Sequence, residues 1–166
     1  DDKQQQGQGC EVGNGAWIEV AAAAARSDAN AFGATGYYRP EDLHLDPVFE
    51  PAANHPNAIR FCWTNTGDED ASHFGEVLCA VDREPALADA NERTVITNRF
   101  VEGDQDFNSF DNLDFQPHTG ILYVVEDHDN GDIFACLRDG ADRDIKTDGC
   151  IRVLSVKDTS AEPTGF

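Results

Sequence analysis

Three short segments of the chain carry a carboxylate at the same place in a repeated pattern. PEDLHLDP (40–47) matches FDNLDFQP (110–117), and the terminal AEPTGF resembles the start of a third copy, so that Glu41, Asp111 and Glu162 are equivalent. Converging carboxylates repel each other unless a cation lies between them, and ligands made only of oxygen favour a hard cation such as Ca²⁺ or Mg²⁺. The alternative interpretation is three separate, hydrated turn acids.

Arg39 lies two residues before the first of these acids. In an extended segment residues i and i+2 point to the same side, so Arg39 and Glu41 are predicted to face the same space. Beside carboxylates that hold a metal, a guanidinium is well suited to bind a phosphate through two parallel hydrogen bonds. An ion pair with a neighbouring acid explains the same spacing, and both interpretations stay open.

A second acidic segment, EDHDNGD (126–132), offers Asp127, Asp129 and Asp132 around a glycine. This spacing resembles the first half of a calcium-binding loop and predicts a peripheral Ca²⁺ site. The bidentate Glu that completes an EF-hand loop is missing, because Arg138 stands at that position. A plain β-hairpin turn is the alternative.

The charge balance restricts the partners of the chain. Its 166 residues include 32 acidic and 12 basic side chains, for a net charge of -20. This balance argues against nucleic acid and anionic membranes as partners, since both require a cationic surface. Cation binding, a high-salt habitat and solubility remain as explanations. No segment approaches the roughly 20 apolar residues of a membrane span.

Five cysteines are present, and no two of them have the C-x-x-C spacing of a zinc ribbon. Cys62, Cys79 and Cys136 lie in apolar strand-like runs, where buried free thiols are one interpretation. If the protein is exported, a Cys10–Cys150 or a Cys62–Cys79 disulfide is the other. The odd number leaves at least one thiol free or paired with another chain.

The elements that must position these side chains are β-strands. Residues 1–35 form a polar arm rich in Gly and Gln, with a short strand or helix, and residues 36–166 alternate short β-branched and aromatic runs with turn formers. This pattern predicts eight strands, in two series of four. They lie near 41–46, 59–65, 75–82, 94–102, 111–116, 121–126, 132–138 and 150–156.

The two series align with each other, which predicts two successive sheets of one kind. Each is a little longer than a four-stranded antiparallel blade usually needs, and the loops account for the difference. The sequence thus predicts an all-β, propeller-like chain of about two blades plus the first strand of a third. A propeller closes only with about four or more blades, so this ring is incomplete unless other chains complete it. Its open sheet edges favour self-association.

Three motifs together resemble the PhoX-type alkaline phosphatase family, whose members are β-propellers. They are YYRPEDLHLDP, SFDNLDFQPHTGILYVVED and AEPTGF, and the resemblance runs from about residue 36 to the end. It implies a secreted or periplasmic phosphatase that hydrolyses phosphate monoesters with calcium and iron at the mouth of the propeller channel. Carried over by position, Glu41, Asp111 and Glu162 would be metal ligands, and Arg39 would contact the substrate phosphate.

The chain also departs from the family pattern. The region that supplies a cysteine ligand to iron and a further metal-binding Glu has no match, and Cys10 beside Glu11 is a poor substitute. The family pattern continues beyond the point where Phe166 ends this chain, so we expect the chain to be inactive alone. The alternative is a non-catalytic, acidic, calcium-binding propeller segment that self-assembles as an extracellular structural protein. A sugar-lactonase-like propeller is a weaker third candidate.

Overall fold

The computed structural model describes residues 11–85, 93–138 and 149–165, and in these ranges most of the regular secondary structure is β-strand. One short helix, α1, and two 3-10 turns (Ala22–Ala24 and Glu69–Ala71) accompany the strands. In chain order the elements are β1 (Gly13–Gly15), α1 (Ala25–Ala31), β2 (Pro40–Leu45), β3 (Ile59–Asn65), β4 (Glu76–Asp82), β5 (Val95–Glu102), β6 (Phe110–Phe115), β7 (Leu122–Glu126), β8 (Asp132–Cys136) and β9 (Cys150–Ser155).

The strands form two antiparallel sheets. The first has five strands in the order β1-β5-β4-β3-β2, and the second has four in the order β6-β7-β8-β9. All eight strands predicted from the sequence are present, each within two residues of its expected ends. The all-β prediction is therefore confirmed. Among the strands of the described residues, β1 alone was missed, because a three-residue strand with two glycines carries no alternation signal.

The hydrophobic core lies between the two sheets. The first sheet contributes Phe100, and the second contributes Phe110 and Leu113, all of them buried. Phe107, in the connection between the sheets, packs its ring 4.2 Å from that of Phe110 and 3.8 Å from that of Phe134. Since strand side chains alternate between faces, one face of each sheet contributes its side chains to this core.

Two disulfides cross neighbouring strands. Cys62–Cys79 joins β3 to β4, which confirms that pairing, and Cys136–Cys150 joins β8 to β9. The Cys10–Cys150 alternative and the free buried thiols were wrong. Cys136 and Cys150 lie directly opposite each other in the sheet register, a proximity that sequence spacing does not reveal. Cys10 lies outside the described residues.

Strands β2 and β6 have the same irregularity at their starts. In β2 the pairing with β3 passes from Pro40–Asn65 to Leu43–Trp63, so Glu41 and Asp42 together face one residue of β3. In β6 the pairing with β7 passes from Phe110–Glu126 to Leu113–Val124, which leaves Asp111 and Asn112 opposite one residue. Such a bulge bends the strand and redirects side chains, here the aligned acids.

The residue before each of these strands is also repeated. Arg39 and Ser109 both adopt a left-handed backbone, with φ of 50° and 53°. The Arg39 carbonyl accepts the backbone N–H of Thr66, just after β3, at 3.0 Å. The Ser109 carbonyl accepts that of Asp127, just after β7, at 2.6 Å. The alignment of the two series is therefore matched by backbone geometry as well as by residue type.

Part of the N-terminal arm packs onto the first sheet. β1 pairs with β5, and the Trp17 indole N–H donates to the Asp82 carboxylate at 2.7 Å. Glu11 is buried and forms an ion pair with Arg99 of β5. Among the described residues, no helix is long and apolar enough to cross a membrane.

Candidate functional site

Strands β2 and β6 meet at the end where both bulges lie. The Asp42 carboxylate of β2 accepts the backbone N–H of Leu113 in β6 at 3.2 Å. The buried Thr64 hydroxyl accepts the backbone N–H of Asp42 at 3.2 Å and donates to the backbone carbonyl of Asp111. These contacts hold the two strand starts side by side, and they bring Glu41 and Asp111 to the same end of the molecule.

The terminal segment 161–165 lies against the start of β6. The Thr164 hydroxyl is 3.3 Å from a carboxylate oxygen of Asp111 and 3.1 Å from the side-chain oxygen of Asn112, which also accepts the backbone N–H of Gly165. Asn112 thus receives a backbone amide from the next segment, as the aligned Asp42 does from β6. This repeated contact places Glu162 beside Asp111.

We call Arg39, Glu41, Asp111, Asp127 and Glu162 the mouth cluster. The Arg39 guanidinium is 2.6 Å from the Asp127 carboxylate and 3.6 Å from that of Glu41. The Arg39 side chain is 57% exposed, so the cluster is open to solvent. Four carboxylates and a single guanidinium meet here, which leaves the cluster strongly negative.

Two carboxyl groups of the mouth cluster have raised pKa values. Burial, followed by the charge of Asp127, raises the pKa of Asp111. A hydrogen bond between the carboxyl groups of Glu162 and Asp127, together with the charge of Asp127, raises the pKa of Glu162. Both shifts have the direction expected for carboxylates that face each other without enough positive charge.

The acids of the 126–132 turn have different partners from one another. Asp127 contacts Arg39 in the mouth cluster, whereas the Asp132 carboxylate is 2.8 Å from Arg152. The charge of Asp129 contributes to the raised pKa of Glu162, which places it on the mouth side of the turn. The peripheral Ca²⁺ site at Asp127, Asp129 and Asp132 stays a prediction.

Glu126 is a structural acid that sequence reasoning overlooked. It is buried, and its two carboxylate oxygens accept the backbone N–H groups of Asn108 at 3.0 Å and Asp132 at 2.8 Å. Burial raises its pKa, and these hydrogen bonds oppose that rise. Glu126 therefore holds the turn after β7 in place.

The side chains do not form a ready-made coordination shell. Within residues 11–85, 93–138 and 149–165, no group of three or more His, Cys, Asp or Glu side chains is arranged to hold a metal ion. No protein-family model, curated protein or solved structure matches this chain. The PhoX resemblance therefore rests on the residues themselves and stays a prediction.

Asp127 belongs to the mouth cluster, although the sequence pattern assigned it to a peripheral Ca²⁺ site. In an antiparallel hairpin the end of the second strand lies beside the start of the first, so residues just after β7 must adjoin those just before β6. Aligning the two hairpins would have shown that Asp127 occupies the place of Thr66, whose hydroxyl lies 3.5 Å from Glu41. The spacing of Asp127 also matches a calcium-binding loop, and this favoured the other assignment.

Proposed function

We propose that the two sheets are consecutive blades of a β-propeller and that segment 161–165 begins the next blade. The repeated bulge, the left-handed residue before β2 and β6, and the contacts of Asp42 and Asn112 with the following segment support this arrangement. In a propeller the first strands surround a central channel. The mouth cluster would then lie at one opening of that channel.

At this mouth we propose a cation-dependent phosphate site, part of a secreted PhoX-like phosphatase that hydrolyses phosphate monoesters. The observation that carries the proposal is the meeting of acids from three successive segments beside Arg39. Neighbouring carboxylate charge contributes to the raised pKa values of Asp111 and Glu162. An all-oxygen donor set of this kind suits Ca²⁺.

The residues of the chain have separate tasks in this proposal. Asp111, Asp127 and Glu162 would hold calcium, and a bound cation would supply positive charge toward the phosphate oxygens. Asp127 would then exchange its contact with Arg39 for the cation, which frees the guanidinium to bind a phosphate through two hydrogen bonds. Iron would require a ligand set beyond these carboxylates, such as a thiolate.

Calcium and phosphate binding are expected to be coupled through Arg39. We expect Ca²⁺ to bind to the chain in calorimetric titration and Asp127→Asn to weaken that binding by at least about tenfold, because a ligand is lost. With Ca²⁺ present, inorganic phosphate should bind to the wild type and fail to bind to Arg39→Met. Arg152→Met is the matched control, since Arg152 lies outside the mouth cluster, and it should bind both ions normally.

The same experiment can reject the proposal. If inorganic phosphate shows no Ca²⁺-dependent binding to the wild type, the phosphatase proposal fails for this chain. An Asp127→Asn variant that keeps every class of calcium site found in the wild type, with unchanged affinities, would place the cation away from the mouth cluster.

The outer faces of the sheets favour a second candidate, a non-catalytic segment that assembles with copies of itself. Leu43 and Leu45 lie on the face of the first sheet opposite the core and are 54% and 59% exposed. Ile151 and Leu154 are 65% and 50% exposed on the second sheet. Apolar sheet faces of this kind are typical of surfaces that another protein covers.

We expect the chain to form oligomers at micromolar concentration under this second candidate. Leu45→Lys and Ile151→Lys should each reduce the mass measured by size-exclusion chromatography with light scattering. Phe32→Lys is the control, because Phe32 is equally exposed but lies at the end of α1. A wild-type chain that runs as a monomer, with and without Ca²⁺, would exclude the assembly function.

We propose an extracellular or periplasmic location for either function. The two disulfides support it, because such bonds persist mainly in oxidising compartments.

A further inference from the structure

A small cavity lies beneath the N-terminal arm, away from the contacts that define the mouth cluster. Its volume is about 160 Å³, and its lining includes Glu11, Tyr37, Asn65, Glu76 and Glu102. The mechanism proposed for the mouth cluster uses none of these side chains. The cavity is large enough for an ion together with water.

Two residues of this lining each carry a buried oxygen with no hydrogen-bond partner in the part of the chain that the structure describes. These oxygens are Oε2 of Glu11 and Oδ1 of Asn65, in residues that are 3% and 1% exposed. The Asn65 amide is oriented by Glu76, because its Nδ2 group donates to the Glu76 carboxylate at 3.1 Å. Its oxygen is therefore left without a donor. Buried oxygens are almost always paired, so two unpaired ones on residues that line the same cavity indicate a missing partner with positive charge or with hydrogen-bond donors.

The charge around the cavity favours a cation. Arg99 is the common ion-pair partner of Glu11, Glu76 and Glu102, so one guanidinium faces three carboxylates. Burial, followed by the negative charges of Glu76 and Glu11, raises the pKa of Tyr37 to about 12. The carboxylates around the cavity therefore outnumber the one guanidinium that pairs with them.

We propose that this cavity is a binding site for a hard cation, with Glu11 Oε2 and Asn65 Oδ1 as its protein ligands and Glu76 as the neighbouring charge. Oxygen ligands and negative charge fit Ca²⁺ and exclude an anion or an apolar ligand. The site links the N-terminal arm to β3 and β4. A bound cation would therefore fasten the arm to the first sheet. This inference does not depend on the function proposed for the mouth cluster.

Terbium, a luminescent substitute for Ca²⁺, tests the site directly. Tyr37 lines the cavity, and the Trp63 ring lies 5.5 Å from the Tyr37 ring, so excitation of this pair should sensitise a bound Tb³⁺ ion. We expect Asn65→Ala and Glu11→Gln each to weaken Tb³⁺ and Ca²⁺ binding by at least about tenfold. Asn65→Asp, which adds a charged ligand, should tighten it.

Asp127→Asn is the matched control, since it alters the mouth cluster and leaves the cavity intact. This variant should keep the sensitised Tb³⁺ luminescence of the cavity, so that loss of one cation site can be distinguished from loss of the other. Circular dichroism identifies any variant that does not fold. The Asn65 variants that do fold then test the cation site. If wild-type affinity is unchanged in folded Asn65→Ala and Asn65→Asp, the cavity holds only water and the proposal is wrong.

Discussion

Replacing Arg99 with Met is expected to lower the free energy of unfolding by about 3 kcal/mol at neutral pH. The Arg99 side chain is 15% exposed, and its Nε group lies 2.6 Å from the Glu76 carboxylate. The same guanidinium pairs with Glu11, whose side chain is 1% exposed. Removal of the arginine would leave two buried carboxylates without a counter-charge, and such a loss costs more than the pair itself contributes.

The loss should depend on pH in a known direction. Burial raises the pKa of Glu76 above its unfolded value even with Arg99 present, so the folded state holds this proton more tightly than the unfolded state does. Stability then falls as pH rises from the ordinary pKa of a glutamate through the raised one. Without Arg99 the pKa of Glu76 should rise further. The deficit of Arg99→Met should therefore shrink in acid.

Urea denaturation of Arg99→Met across a pH series measures this deficit. Adding Glu76→Gln to the variant should restore part of the lost stability, because one unpaired charge is removed. Arg152→Met serves as the control, since Arg152 pairs with Asp132 at the surface and its removal should change little. A deficit that stays constant from acid to neutral pH would show that Arg99 contributes packing rather than charge compensation.

Loss of the Cys62–Cys79 disulfide has the second largest expected effect. The double variant Cys62→Ala/Cys79→Ala should lose about 3 kcal/mol of unfolding free energy, because the closed loop restricts the unfolded chain. The two residues are 17 positions apart and fully buried between the sheets, so lost packing adds to the effect. Thermal unfolding followed by circular dichroism measures the change.

Peptide mapping without reduction provides the matching check. It should recover Cys62 linked to Cys79 and Cys136 linked to Cys150. Cys10→Ser should leave both links and the melting temperature unchanged, since Cys10 takes part in neither bond. Recovery of a Cys10–Cys150 peptide would contradict the pairing described above.

The strand pattern was readable from the sequence because its signals are local. β3 alternates core-facing residues such as Cys62 and Thr64 with outward residues such as Trp63, and turn formers bound each run. The repeated unit was readable for the same reason. Aligning 40–47 with 110–117 placed Glu41 and Asp111 at equivalent strand starts, and the structure has a bulge at each of them.

Contacts between distant segments could not be predicted from the sequence. Asp127 joins Arg39 across 88 positions, and Glu11 joins Arg99 across the same separation. Many acids in this chain have equivalent local surroundings, so local pattern cannot choose among them. The Cys136–Cys150 bond likewise required the register of β8 and β9.

The sequence by itself thus determined the all-β class, the strands and the alignment of Glu41, Asp111 and Glu162, since each depends on periodicity over a few residues. Only the tertiary structure decided which acids have a cationic partner and which buried oxygens do not. Charge compensation depends on distances of 3–4 Å, and these are set by how the two sheets and the N-terminal arm pack together.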